Sequence, residues 1–232
     1  AANGVATTIL APATAGDYKL FVIDAAGNVS NASAATLTVD TTTAATTAPT
    51  AAITYSVAGP YKSGTLVTIT ATFSEAMADS PVVQIAISGA NTLAATNMTK
   101  TSATVYTYAH TVGAGDGTAT VALSTGTDVA GNVITSAPTS GATFTVDNTA
   151  PTNQNTVFAS NVTKQGGASV AIISSADATN NVRFAPSGTT NFVAGPTMTK
   201  AASGTATTIL APANEGAYKL FVIDAAGNIS NA

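Results

Sequence analysis

The stretch Thr65-Leu66-Val67-Thr68-Ile69-Thr70-Ala71-Thr72-Phe73 alternates apolar and polar side chains along its length. Successive side chains of an extended strand point to opposite faces, so Val67, Ile69, Ala71 and Phe73 share one face and Thr68, Thr70 and Thr72 the other. Threonine suits the solvated face, because its β-branch fits a pleated strand while its hydroxyl stays wet. The same alternation runs through Ala119, Val121 and Leu123, and through Ala142, Phe144 and Val146. It returns in Tyr18, Leu20 and Val22 near the start and in Tyr218, Leu220 and Val222 near the end. No segment of ten or more residues has helical spacing free of Gly, Pro or a β-branched run. The pattern predicts an all-β chain.

Around that stretch, residues 51–147 read as about seven strands, near 52–57, 65–73, 82–88, 92–98, 103–112, 118–124 and 142–146. Seven short strands at this spacing suggest an immunoglobulin-like β-sandwich. An odd number of antiparallel strands brings the chain in at one pole and out at the other, so such units can be joined end to end. The segment Asn214-Glu215-Gly216-Ala217-Tyr218-Lys219-Leu220 has the form of a tyrosine corner, in which the Tyr hydroxyl bonds back to the preceding backbone. The complete unit carries Thr118 at that place.

A pentapeptide D-x-A-G-N follows an apolar run three times, at Asp24–Asn28, Asp128–Asn132 and Asp224–Asn228. The first and third copies lie 200 residues apart in nearly the same context, ending at Ala32 and Ala232, with the second about halfway between. A period near 100 residues, alternating between two unit types, denotes an array of small domains. The divisions are the closing part of one sandwich (1–40), a linker (41–50), a complete sandwich (51–147), a linker (148–152) and a sandwich lacking its last strand (153–232). The joints repeat too: Val39-Asp40 leads to Thr47-Ala48-Pro49, and Val146-Asp147 to Asn148-Thr149-Ala150-Pro151. Proline fixes the backbone and interrupts strand pairing, as a joint between domains requires.

Composition narrows the function classes. Cys and Trp are absent and 8% of residues are charged. The apolar residues that fall in alternating strands argue against disorder. A net charge of -4 provides no basic face for a phosphate backbone, so nucleic acid is not an expected partner. No apolar run approaches the roughly 20 residues of a membrane helix. Ala1-Ala2-Asn3-Gly4 shows no basic region leading into an apolar stretch, so no signal peptide is read there. The window reads instead as the interior of something longer. Few charges, abundant Thr and a pI near 4.6 favour a secreted surface protein.

With the D-x-A-G-N turns, the V-D-x-T-A-P joints and the strand ending Phe73-Ser74-Glu75-Ala76-Met77, the chain resembles the tandem bacterial immunoglobulin-like domains of giant surface adhesins. The resemblance covers essentially the whole chain and speaks to fold and architecture more than to ligand. It implies that calcium can sit at domain junctions, as in some members of that family.

The residues themselves also raise a cation. In the sandwich topology, Glu75 and Asp79 fall in or near one loop at the incoming pole of the middle unit, and Asp128 and Asn132 in another. The joint beginning at Asp40 arrives at the same pole. In the following unit Asp177, Asp224 and Asn228 meet Asp147 in the same way. Calcium takes six to eight oxygen ligands at relaxed geometry, whereas zinc wants His or Cys. The other reading is a plain turn, with Asp capping its own backbone and Gly and Asn accepting left-handed conformations. Both readings stand on the sequence.

No nucleophile–base pair, phosphate loop or dinucleotide fingerprint is present, and the single His110 reads as structural or exposed, so no enzyme is expected. Asn-x-Ser/Thr at Asn28, Asn31, Asn97, Asn161 and Asn228 is near chance in a Ser- and Thr-rich chain, and a Lys–Asn crosslink at Lys19 or Lys219 is a remote reading. The expectation is a structural repeat segment of an extracellular, cell-surface adhesin, stalk or fibre, its partners being neighbouring repeats. A subunit of a surface lattice or filament, in contact with identical subunits, comes second. A carbohydrate-binding module beside an enzyme, short of aromatics, comes third. By the 200-residue repeat, the last sandwich lacks the counterpart of Ser33–Asp40, including Leu37 and Val39. Its edge is expected to be filled by such a segment, from the continuation of the chain or, as the lesser alternative, from a neighbouring subunit.

Overall fold

A computed structural model of the chain describes residues 8–39, 46–174, 177–192, 197–201 and 207–232. Among them the regular structure is antiparallel sheet apart from one helical turn. The chain divides into two compact units, Ala1–Thr46 and Thr47–Ala232. In the first, β1 (Gly16–Tyr18) pairs antiparallel with β2 (Leu37–Val39), setting Gly16 opposite Val39, Asp17 opposite Thr38 and Tyr18 opposite Leu37.

The second unit opens with eight strands: β3 (Ala51–Tyr55), β4 (Leu66–Phe73), β5 (Gln84–Gly89), β6 (Leu93–Asn97), β7 (Thr99–Lys100), β8 (Val105–Thr111), β9 (Gly117–Ser124) and β10 (Thr143–Val146). They form two four-stranded sheets, in the orders β3-β4-β8-β7 and β10-β9-β5-β6. Val67, Ile69, Ala71 and Phe73 of β4 are buried as the alternation requires, together with Ala119, Val121 and Leu123 of β9 and Phe144 and Val146 of β10. Both sheets contribute to one core, which makes this part a β-sandwich. Each large side chain so buried is worth about 1.5–3 kcal/mol over exposure. Phe73 meets Tyr106 edge-on, with ring centroids 5.6 Å apart, fixing β4 against β8 inside the core.

The strand expected near 92–98 is present as β6, and a further short strand follows it. β6 pairs with β5, and after Met98, which is buried, β7 pairs with β8 in the opposite sheet. The chain changes sheets there because Met98 turns into the space between them. The alternation alone cannot register such a crossing.

Five further strands follow: β11 (Ser169–Ala171), β12 (Asn181–Ala185), β13 (Thr199–Ala201), β14 (Thr208–Leu210) and β15 (Lys219–Ile223). They are preceded by α1 (Gln154–Val157), a helical turn that the strand pattern does not foretell. β11 pairs with β14, and β12 lies between β13 and β15. Val157, Val170, Val182, Phe184, Leu220 and Val222 form a second core separate from the first. No strand pairing among the described residues crosses from β3–β10 to β11–β15.

One reading needs correction. Leu20 and Val22 are expected to face inward but are 56% and 66% exposed, while Leu220 and Val222 in the same local sequence are 4% and 0% exposed. Burial requires an opposing sheet, and the described residues of the first unit contain only the β1–β2 ladder. Phe221, on the outward face by alternation, is nonetheless buried and stacks edge-on against Phe192 at 5.0 Å. This strand is therefore covered on both faces.

Candidate functional site: the repeated turns and the joint

The three D-x-A-G-N segments adopt one structure. Backbone N–H of each Asp donates to the Asn carbonyl, and the Gly N–H donates to the Asp carbonyl, at 3.0–3.2 Å across the three copies. Gly27, Gly131 and Gly227 all have left-handed φ, at 89°, 94° and 85°. Left-handed backbone costs a residue with a Cβ, which is why glycine stands at this place in every copy. The Asp side chain closes the turn. Asp24 Oδ1 accepts from the N–H of Ala26 and of Asn28, and Oδ2 accepts from Asn28 Nδ2 at 2.8 Å. Asp128 accepts from the Asn132 N–H and Nδ2 at 2.8 and 2.7 Å, and Asp224 from the Asn228 N–H and Nδ2 at 2.8 and 2.9 Å.

These bonds stabilise the charged carboxylate. The Asn28 and Asn132 side-chain amides, more than any other group, hold the Asp24 and Asp128 carboxyls below the usual carboxylate range. Asp128 does so at only 2% exposure, so its turn amide takes the place of lost water.

The two loops expected to meet at one pole of the middle sandwich do meet: Met77 bridges Asp128, and the Ala78 N–H donates to Thr127 O at 2.9 Å. Their charges do not pool. Asp79 pairs with Lys100 Nζ at 2.7 Å, and the same ammonium donates to Met77 O at 2.8 Å. Lys100 holds the Asp79 carboxyl low, and Asp79 in turn raises the Lys100 ammonium. Glu75 is half-buried. Asp40 lies outside the described residues.

At the joint, Asp147 and Asn228 come together as the pattern suggests, but through the backbone: Asn228 Nδ2 donates to Asp147 O at 2.9 Å. Lys62 Nζ donates to Gly227 O at 3.0 Å, placing an ammonium on the turn's outward carbonyl. Asp147 Oδ1 accepts from the Thr149 N–H at 3.0 Å. Asn148 is tied at both ends, its Oδ1 accepting from the Ser63 N–H and its N–H donating to Asp116 Oδ1, each at 2.6 Å. Sequence reasoning passed over Lys62, Asn148 and Asp116. The signal available was the asparagine between Val146-Asp147 and the proline. Asp177 is exposed and turns its carboxylate onto Thr179, whose hydroxyl and N–H hold it below the usual range.

Among the described residues no three acidic, His or Cys side chains converge. The turn carboxylates face N–H groups, and the Lys62 ammonium sits at the joint. His110, outside this region, is buried with its Nε2 3.0 Å from Asn91 Oδ1, while the Gly113 N–H donates to that oxygen at 2.7 Å. Burial pushes its pKa below the ordinary imidazole value, which suits a structural histidine. The Tyr218 hydroxyl donates to Asn214 O at 2.8 Å, and Tyr18 makes the equivalent bond to Thr14 O at 2.9 Å, so both are tyrosine corners. Lys19 Nζ donates to Ala34 O at 2.8 Å rather than meeting an asparagine. No helix among the described residues is long and apolar enough to cross a membrane. Compared with family models, curated proteins and solved structures, the chain finds no match.

Proposed function

We propose that this chain is a structural repeat segment of a large extracellular adhesin, stalk or surface fibre, built of tandem immunoglobulin-like sandwiches and without catalytic activity. The observation that carries the reading is the strand order of the middle sandwich. β3-β4-β8-β7 facing β10-β9-β5-β6 corresponds to the A-B-E-D and G-F-C-C′ sheets of that fold class. The repeat of the D-x-A-G-N turn and of the Pro-bearing joint supports tandem arrangement, and the charge-poor, Thr-rich composition supports an extracellular setting. In this reading the mechanism is mechanical: each folded sandwich adds a fixed length.

Stiffness at the joint comes from the Asn148 and Asn228 bonds and from Lys62. Calcium, if it acts there, has to displace these donors around Asp147, Asp224 and Asn228. Small-angle scattering on proteins of increasing repeat number tests the reading. The maximum dimension should grow linearly with repeat number, and a compact particle of constant aspect would defeat it. A subunit of a surface lattice or filament that assembles with identical copies is the second reading.

A further inference from the structure

The middle sandwich buries an imidazole in its core. His110 of β8 is 7% exposed, opposite Val67 of β4, and its ring centroid lies 6.1 Å from that of Phe144 in β10. Asn91, 5% exposed in the turn between β5 and β6, sets its Oδ1 3.0 Å from His110 Nε2, and the same oxygen accepts the Gly113 N–H at 2.7 Å. A backbone N–H can only donate, so the amide oxygen has to face it, and His110 Nε2 then carries the ring proton. Nδ1 is left to take a second proton, and among the described residues it has no hydrogen-bond partner. The elements packed around it offer no counter-charge. β4, β5, β6, β9 and β10 contain no charged residue. Tyr55 and Tyr61, packed on the Phe144 ring, donate their hydroxyls to Gly141 O and Val57 O. On β8 itself stand Tyr106, whose hydroxyl points to Ala78 O, and the partly buried Tyr108. Lys100 of β7 pairs with Asp79, Lys62 donates to Gly227 O, and Asp147 accepts from the Thr149 N–H. Asp116, in the loop after β8, accepts from the Asn148 N–H and the Thr149 hydroxyl.

That loop connects the imidazole to the joint. Gly115 lies so close to the β5–β6 turn that an added Cβ would clash with Ala90 O. Its carbonyl accepts from Asn148 Nδ2, while Asp116 Oδ1 accepts from the Asn148 N–H. Residues 113–116 are therefore held on one side by Asn91, whose oxygen His110 and Gly113 share, and on the other by the joint asparagine. We propose that His110 is a proton-operated latch on the joint: neutral, it locks the 113–116 loop through Asn91, and protonated, it leaves the core, frees that loop and loosens Asn148. The driving force is the cost of a buried charge. An imidazolium beside Phe144 and Val67, with no counter-charge and no acceptor at Nδ1, gains by turning to water, and Asn91 Oδ1 then loses one of its two donors. Burial accordingly holds the His110 pKa below the ordinary imidazole value. The folded chain thus binds this proton less readily than the unfolded one. The latch's contribution to stability is complete above about pH 6.5, falls as pH drops below that value, and falls no further under the folded pKa. The latch acts within one chain and does not depend on the stalk reading.

His110 is the only histidine of the chain, so its ring signals are unambiguous in an NMR titration of the full chain. The imidazole midpoint should lie below the ordinary value of about 6.5, and the Gly113 and Asn148 amides should shift with that same midpoint. Hydrogen exchange at the Gly113 amide, corrected for its intrinsic pH dependence, should be roughly tenfold faster near pH 5 than near pH 7. His110→Gln keeps a side-chain donor for Asn91 but takes up no proton, so both effects should vanish in it, while any step that Asn148 owes to Asp116 remains. Should His110→Gln fail to fold, Asn91→Asp serves instead: a carboxylate against the imidazole should raise the His110 midpoint and carry the Gly113 and Asn148 steps up with it. A histidine titrating at or above the ordinary value in the parent chain would overturn the latch. An Asn148 amide that ignores the His110 midpoint while Gly113 follows it, or whose step at that midpoint persists in His110→Gln, would overturn the link to the joint.

Discussion

Asn228 donates from one side-chain amide to two oxygens, Asp224 Oδ2 within its turn and Asp147 O across the joint, both at 2.9 Å. The turn that closes one sandwich is thus also its attachment to the preceding strand. Asn228→Ala removes both bonds and strands the Asp147 carbonyl in a partly buried position. A loss of about 1–3 kcal/mol is expected in urea denaturation, confined to the transition of the last sandwich. The equivalent Asn28→Ala, in a fully exposed turn, should cost less.

Leucines 20 and 220 offer a matched pair. Leu220→Ala empties a packed site and should cost about 2–5 kcal/mol, whereas Leu20→Ala, at an exposed position, should stay within about 0.5 kcal/mol. Equal effects in thermal denaturation would mean that the first unit buries Leu20 as the last buries Leu220.

Gly131 tests the turn by backbone alone. Nothing lies within 4 Å of the Cβ that Gly131→Ala would add, yet φ is 94°. The substitution should cost about 1–2 kcal/mol from left-handed strain without any steric contact. A neutral outcome in chemical denaturation would show that the turn relaxes.

Acid should act through Asp128. Its folded pKa lies below the unfolded value near 3.9, so its contribution is complete above that value and is lost as pH falls through the lower folded one. Because the Asn132 side chain is the largest cause, Asn132→Ala should move the Asp128 titration up toward the ordinary carboxylate range. NMR titration of the carboxyl carbon reads this directly, and an unmoved titration would assign the shift to the backbone N–H donors.

At the joint the Asp147 and Gly227 carbonyls already hold an amide and an ammonium donor. Melting temperatures in millimolar calcium and in chelator should therefore coincide. A calcium-dependent rise that Asp224→Ala abolishes would restore the metal to Asp147, Asp224 and Asn228.

Much of the fold was legible because it is written in local periodicity. The strand from Thr65 to Phe73 faces as its alternation says, and Tyr218 bonds back to Asn214 as its spacing says. The turn reading of D-x-A-G-N was equally local, since Asp, Gly and Asn complete it among themselves. What escaped depended on groups distant in sequence. Lys62 reaches Gly227, Asp116 reaches Asn148, and Met98 carries the chain between sheets, none of which leaves a periodic trace. The site was therefore half legible: its turns were readable, but the partners that neutralise them were not.

Residues 18–32 and 218–232 divide the two kinds of information. In both, the Ser hydroxyl accepts from the Val N–H eight residues earlier, Asp and Asn close the turn, and Ile bridges the residue six places on. The sequence alone determined these bonds, because every partner lies within a few residues and glycine permits the left-handed step. Only the tertiary structure decided that Leu220 and Val222 are core while Leu20 and Val22 are exposed. Burial is a property of what packs opposite, and β12 lies beside β15 with Val170 and Phe184 completing the same core. The first copy has only its own short ladder among the described residues, so the same fifteen-residue pattern makes the same turn without a core.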